Sequence, residues 1–121
     1  MVLPLMQYNN ICNYDNSTME EKLMTINKTQ NGSELTISLT GRLDTTTAPQ
    51  LDDELKTALD GVEKLSFDFS GLEYISSAGL RVLLSAQKVM NKQGNMIVKN
   101  VSEEISEIFE VTGFVDILTI E

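Results

Sequence analysis

In the stretch "LTISLTG", Leu35, Ile37 and Leu39 fall on one side and Thr36, Ser38 and Thr40 on the other. That strict alternation is the signature of a half-buried strand. The preceding "EKLMTINKTQ" has apolar positions at Leu23 and Ile26, with Met24 between them. The "NGSE" that follows supplies turn residues, so the two segments read as a hairpin. The period then changes. In "APQLDDELKTALDG", Leu51, Leu55, Ala58 and Val62 recur at helical spacing, and Asp52, Asp53, Glu54 and Lys56 take the water side. Thr47 is the expected N-cap, with Gln50 at the spacing of a capping box and Pro49 in the first turn; Gly61 is the stop.

"KLSFDFSG" is short, aromatic and alternating, and predicts a central strand. The helix predicted after it carries Val82, Leu83, Ala86, Val89 and Met90 on one face and Arg81, Ser85, Lys88 and Lys92 on the other, ending at Gly94. "NMIVKN" is a further strand. Ser102 caps a third helix, with Glu103 and Glu104 at its positive end and Ile105, Ile108 and Phe109 as its buried side. Gly113 ends that helix, and "FVDILTIE" predicts a short edge strand. The order β-β-α-β-α-β-α-β implies right-handed crossovers between parallel strands. The expected architecture is α/β: a mixed, mostly parallel sheet of four to five strands with helices mainly on one face. No internal repeat interrupts it.

At 121 residues the chain fits one domain. Residues 1–18, "MVLPLMQYNNICNYDNST", are rich in Asn and lack a sustained period, whereas a more regular stretch opens at Met19. The expectation is an amino-terminal extension over 1–18 and a folded domain over 19–121. Nine basic against eighteen acidic residues give a net charge of −9, which argues against nucleic acid or an anionic membrane as the partner. No run approaches the ~20 apolar residues of a membrane span, and "MVLPLMQYNN" lacks a basic segment of the secretory kind. The single cysteine, Cys12, supports neither an internal disulfide nor a zinc cluster. These features give the expectation of a soluble, cytoplasmic chain.

The absence of histidine removes the usual general base, the commonest metal ligand and any serine–histidine triad. "GLEYISSAG" matches neither a phosphate loop nor a dinucleotide fingerprint, and Gly79 and Leu80 stand where a Ser-x-x-Lys motif would need lysine. Asp68 in "FDFSG" occupies the strand end where a receiver domain accepts phosphate. The acidic pair needed for magnesium is replaced by Asn27 and Lys28, so Asp68 reads as a residue on the polar side of its strand. No catalytic residue, metal or cofactor is expected. Ser76 and Ser77 lie at a helix start, where free N–H groups and the dipole favour a phosphate. By position alone both read as caps, worth about 1 kcal/mol.

"FDFSGLEYISSAGLRVLL", with "GRLDTTTAPQL" upstream and "VSEEISEIFEVTGF" downstream, resembles a STAS domain, the sulfate-transporter and anti-sigma-factor-antagonist family. The resemblance runs from about Leu23 to the carboxyl end and implies the STAS fold. In stand-alone members, Asp-Ser-Ser-Gly-Leu opens the second helix. Its first serine is phosphorylated by a kinase that is also an anti-sigma factor. Anchored on Gly79 and Leu80, that serine falls on Ser77; Ser76 stands at the family's Asp and Ala78 at its second Ser, and Ser76 is the alternative acceptor. The resemblance also implies a partner-binding surface of Asp44, Thr45, Thr46, Ser76, Ser77, Ala78, Gly79 and Arg81. For Asp44, a turn residue bonding its own backbone is an equal reading. The implied function is an anti-sigma-factor antagonist, a binding module rather than an enzyme. Its partners would be a kinase-type anti-sigma factor and a serine phosphatase. The alternative is a STAS scaffold or accessory subunit of a stress-signalling or lipid-transport complex without phosphoregulation.

Overall fold

The computed structural model describes residues 24–121. Leu23, Met19, Cys12 and the segment 1–18 lie outside the described residues. The alternating stretches form β1 (Met24–Asn31) and β2 (Glu34–Leu43), an antiparallel hairpin in register from Asn31↔Glu34 to Met24↔Gly41. Helix α1 (Ala48–Ala58) leads to β3 (Lys64–Ile75), and α2 (Ser77–Gln93) leads to β4 (Asn95–Lys99). Helix α3 (Glu103–Thr112) follows. The strands lie in the order β1-β2-β3-β4; β2, β3 and β4 are mutually parallel, so the sheet is mixed.

Burial follows the periods. β2 sends Leu35, Ile37 and Leu39 into the core and leaves Thr36 and Ser38 on the opposite face. β3 adds Leu65, Phe67 and Phe69, all at 0% exposure, with the two rings tilted at a centroid separation of 5.9 Å. Leu51 and Leu55 of α1, Leu83 and Met90 of α2, and Ile105 and Phe109 of α3 close over them in one cluster. Ser102 caps α3 by accepting from the N–H of Ile105, and Gly113 ends it in the left-handed conformation, φ 83°.

Four expectations are corrected. "FVDILTIE" is not an edge strand: Phe114–Asp116 form a 3-10 turn, and Ile120 alone makes one parallel bridge, to Val98. Phe114 and Leu118 sit four residues apart, and the Leu118 N–H bonds the Phe114 carbonyl at 2.9 Å. Helical spacing places both against the core and overrides the alternation. Thr47 occupies the N-cap of α1, but the capping box with Gln50 does not form: the Thr47 hydroxyl oxygen accepts from the Asp44 N–H instead, while its proton goes to the Arg42 carbonyl. Val89 is 41% exposed rather than buried; Gln87, at helical spacing from Leu83 and Met90, takes the inward position. Ile108 is only half-buried beside Ile105 and Phe109.

Candidate functional site

The parallel pairing of β2 with β3 runs to Leu43↔Ile75, so both strands end at the same edge of the sheet. Two connections leave from that edge, the turn 44–47 and the start of α2. They are joined where the Ser76 N–H donates to the Leu43 carbonyl at 2.8 Å. Gly79 sits in the first turn of α2, and a Cβ there would lie 2.7 Å from Leu43 Cγ and 2.9 Å from Ile75 Cγ1. Absence of a side chain lets the helix start close against the strand ends.

The two serines differ. Ser76 is the N-cap, extended at φ −101° and ψ 176°, and its Oγ accepts from the Gly79 N–H at 3.4 Å. Ser77 is the first residue of the helix and is exposed. Among the described residues none hydrogen-bonds its hydroxyl.

Asp44 organises its own turn. Its Oδ1 accepts from the Thr46 N–H at 3.0 Å, the Thr46 hydroxyl at 2.7 Å and the Thr47 N–H at 3.2 Å. Its Oδ2 lies 3.7 Å from Arg42 Nε. The Thr46 hydroxyl holds the Asp44 carboxyl below the usual carboxylate range, and the N–H groups of Thr46 and Thr47 add to this against the opposing effect of partial burial. The Thr47 hydroxyl accepts from the Asp44 N–H at 2.9 Å and donates to Arg42 O at 2.7 Å. The guanidinium of Arg42 stacks 4.4 Å above the centre of the Tyr74 ring.

A cleft of about 290 Å³ opens between the first turns of α1 and α2, lined by Thr45, Ala48, Pro49, Asp52, Ala78, Arg81, Val82 and Ser85. Of the residues expected at a partner surface, Thr45, Ala78 and Arg81 meet in this cleft. Thr46 and Ser77 are exposed beside it, Gly79 is buried beneath, and Asp44 faces its own turn. Sequence reasoning did not single out Arg42 or Tyr74. Arg42 stands two residues before Asp44, but its pairing with Tyr74 appears only through the strand register.

Asp68 lies apart from this edge arrangement. Its Oδ1 accepts from the Asn100 amide at 2.9 Å and the Ser70 N–H at 3.0 Å. The Asn100 amide, then these Ser70 contacts and the charge of Lys99, hold its carboxyl below the usual range. Among the described residues no three His, Cys, Asp or Glu side chains gather as a metal site. No helix of the described residues is long and apolar enough to cross a membrane.

Comparison with known proteins agrees with this geometry. The family described as "Mlab, STAS domain" matches residues 26–119. BtrV of Bordetella bronchiseptica, provisionally named an anti-sigma factor antagonist, is 37% identical over 84 residues, covering 68% of this chain and 72% of its own. The crystal structure of an anti-sigma factor antagonist from Mycobacterium paratuberculosis superposes with a TM-score of 0.75 at 21% identity, covering 82% of this chain and 86% of that one. The Bacillus cell fate determinant SpoIIAA in its phosphorylated form gives a TM-score of 0.64 at 20% identity, covering 80% and 91%. The two structures share the fold, and the family match spans nearly all the described residues: the chain belongs to the STAS-domain family of anti-sigma factor antagonists.

Proposed function

We propose that this chain binds a kinase-type anti-sigma factor through the turn 44–47 and the first turn of α2, and that phosphorylation of Ser77 releases it. The observation that carries the reading is the contrast between the serines at the shared strand edge. Ser76 is engaged as the cap of α2, whereas Ser77 is exposed at its first position. In the phosphorylation step, the Ser77 hydroxyl oxygen bonds the γ-phosphorus of ATP, the bond to ADP breaks, and the hydroxyl proton passes to a base on the kinase. The phosphate adds about −1.5 to −2 charge at pH 7 in the middle of the docking surface. In a chain of net charge −9 it repels an acidic face and resists desolvation.

The free domain accommodates the same group, because it stands at a helix amino end with Arg81 one turn along. Phosphorylation therefore acts on binding without unfolding the domain, and a serine phosphatase resets it. The reading places the protein in the cytoplasm, with a domain over 19–121 whose stability is independent of residues 1–18. SpoIIAA, a structural neighbour solved in its phosphorylated form, supports the switch.

The test is incubation with the kinase-type anti-sigma factors of the same organism and ATP, followed by mass spectrometry of the Ser76–Arg81 peptide. Phosphate on Ser77, and loss of binding in Ser77→Asp, are the expected results. A Ser77→Asp chain that binds as tightly as wild type would sink the mechanism. A second reading, a STAS scaffold or accessory subunit without phosphoregulation, draws on Ser76 and Ala78 standing where the family motif has Asp and Ser. It predicts an unmodified peptide and no kinase partner.

A further inference from the structure

Asp44 is the acidic residue of the turn, yet both of its carboxylate oxygens are turned to groups of this chain: Oδ1 takes donors from Thr46 and Thr47, and Oδ2 lies toward Arg42, which leaves the Asp44 side chain only 17% exposed. The more exposed charge of this pair is that of Arg42, at the end of β2. Its side chain is 41% exposed, and Tyr74 beneath it is 37% exposed. Among the described residues, Asp44 Oδ2 is its one ionic neighbour, and 3.7 Å is longer than a hydrogen bond. The guanidinium fork is therefore left with donors to offer. Both arginines of the chain, Arg42 and Arg81, stand at this end of the sheet, one on β2 and one in the first turns of α2.

We propose that Arg42, held over the Tyr74 ring, receives a carboxylate of the bound protein, so that the docking surface wraps from α2 over the turn 44–47 to the open face of the sheet. The proposal rests on the reading of the chain as an antagonist that binds an anti-sigma factor. A guanidinium takes a carboxylate in two parallel N–H···O bonds, and a carboxylate is the side-chain group that matches its planar fork. Stacking on Tyr74 orders the long arginine side chain before binding, which reduces the entropy lost on association. Arginine and tyrosine are also the residue types that dominate interface energetics. Elsewhere the surface is strongly acidic, with eighteen acidic against nine basic residues, so an acidic group on the partner is repelled from other orientations. Asp44 is then a positioning residue, setting Arg42 and the turn in place.

Calorimetric titration of the full chain with the kinase-type anti-sigma factor of the same organism tests this. Arg42→Met and Tyr74→Leu are each expected to weaken binding by about 10-fold or more, with melting temperatures close to wild type. Arg42→Met should also flatten the salt dependence of binding, and Arg42→Lys should recover part of the affinity. The proposal is overturned if both variants bind like wild type while Ser77→Asp does not bind. It falls equally if the loss in Arg42→Met tracks a fall in melting temperature that Asp44→Ala reproduces, since the arginine would then only brace the turn. A wild-type chain that binds no such factor would remove the functional reading and this inference together.

Discussion

The Ser76 N–H reaches the Leu43 carbonyl at 2.8 Å, tying the residue that caps α2 to the last residue of β2. Thirty-odd residues of chain separate the two, and the parallel register Leu43↔Ile75 brings them together. Through this bond the turn that follows β2 and the helix that follows β3 form one surface. Displacing α2 from the strand ends would therefore alter the candidate site without touching an exposed residue.

Gly79→Ala tests that dependence. In an open helix the change would gain up to about 1 kcal/mol from propensity. Here the new methyl meets Leu43 Cγ at 2.7 Å, Ile75 Cγ1 at 2.9 Å and Leu43 Cδ2 at 3.0 Å, all in the buried core. Overpacking of this kind costs about 1–3 kcal/mol, so it outweighs the propensity gain. Urea denaturation should show net destabilisation, and partner binding should weaken because the first turn of α2 is pushed outward.

The cap should distinguish the two serines by stability alone. Ser76→Ala removes the acceptor for the Gly79 N–H and should cost about 1 kcal/mol. Ser76→Asp keeps an acceptor and places a negative charge at the positive end of α2, so it should be at least as stable as wild type. Ser77→Ala, at an exposed position, should stay within about 0.5 kcal/mol. Chemical denaturation of the three variants side by side checks the order.

How far the molecule was readable from its sequence depends on how local each feature is. β2 and the helices announce themselves because alternate or helically spaced residues bury one side, and Ser102 and Gly113 mark the ends of α3 within its own stretch. The carboxyl-terminal stretch is ambiguous in sequence because Phe114 and Leu118 satisfy both an extended and a helical pattern over a short run. The left-handed Gly113 and packing against the core decide between them. Thr47 has the sequence of a capping residue, but the N–H of Asp44, on the strand side of the turn, takes its hydroxyl oxygen. The site is less legible still. Continuing the register Ser38↔Asp68 unbroken would set Arg42 against Leu72. Shifts at Ser38/Thr40 and at Gly41/Arg42 bring it to Tyr74 instead. Motif matching finds Asp44 and Ser77, but not which way the Asp44 carboxylate faces.

Acid should weaken the fold through Asp44 and Asp68. Both carboxyls lie below the ordinary value of 3.8 in the folded chain, Asp44 chiefly through the Thr46 hydroxyl and Asp68 chiefly through the Asn100 amide. A depressed folded pKa stabilises the fold at every pH above the unfolded value. That contribution is lost as pH falls through about 3.8 toward the folded-state values, because the unfolded chain takes up the protons first. Asp44→Asn should lower stability at neutral pH by about 1 kcal/mol while making the decline between pH 5 and pH 3 shallower. Urea midpoints across that range, for wild type, Asp44→Asn and Asp68→Asn, measure both effects.

At the opposite end of the sheet, Gln93 fastens α2 to the end of α1. Its Nε2 donates to the carbonyls of Leu59 at 2.7 Å and Val62 at 2.6 Å, in the turn that follows α1. Gln93→Ala removes both bonds and should cost about 1 kcal/mol, with water reaching the carbonyls from the exposed side. Gln93→Glu should be worse at pH 7, since a carboxylate oxygen would face two carbonyl oxygens. That repulsion favours the protonated form and raises the pKa of the new carboxyl in the folded chain. A raised carboxyl pKa makes the variant recover as pH falls, because the protonated group regains one donor for the carbonyls. Thermal melts from pH 7 to pH 5 should show Gln93→Glu rising toward Gln93→Ala or above it, while wild type changes little over that interval. A Gln93→Glu chain equal to wild type at pH 7 would mean that the two carbonyls do not depend on this amide.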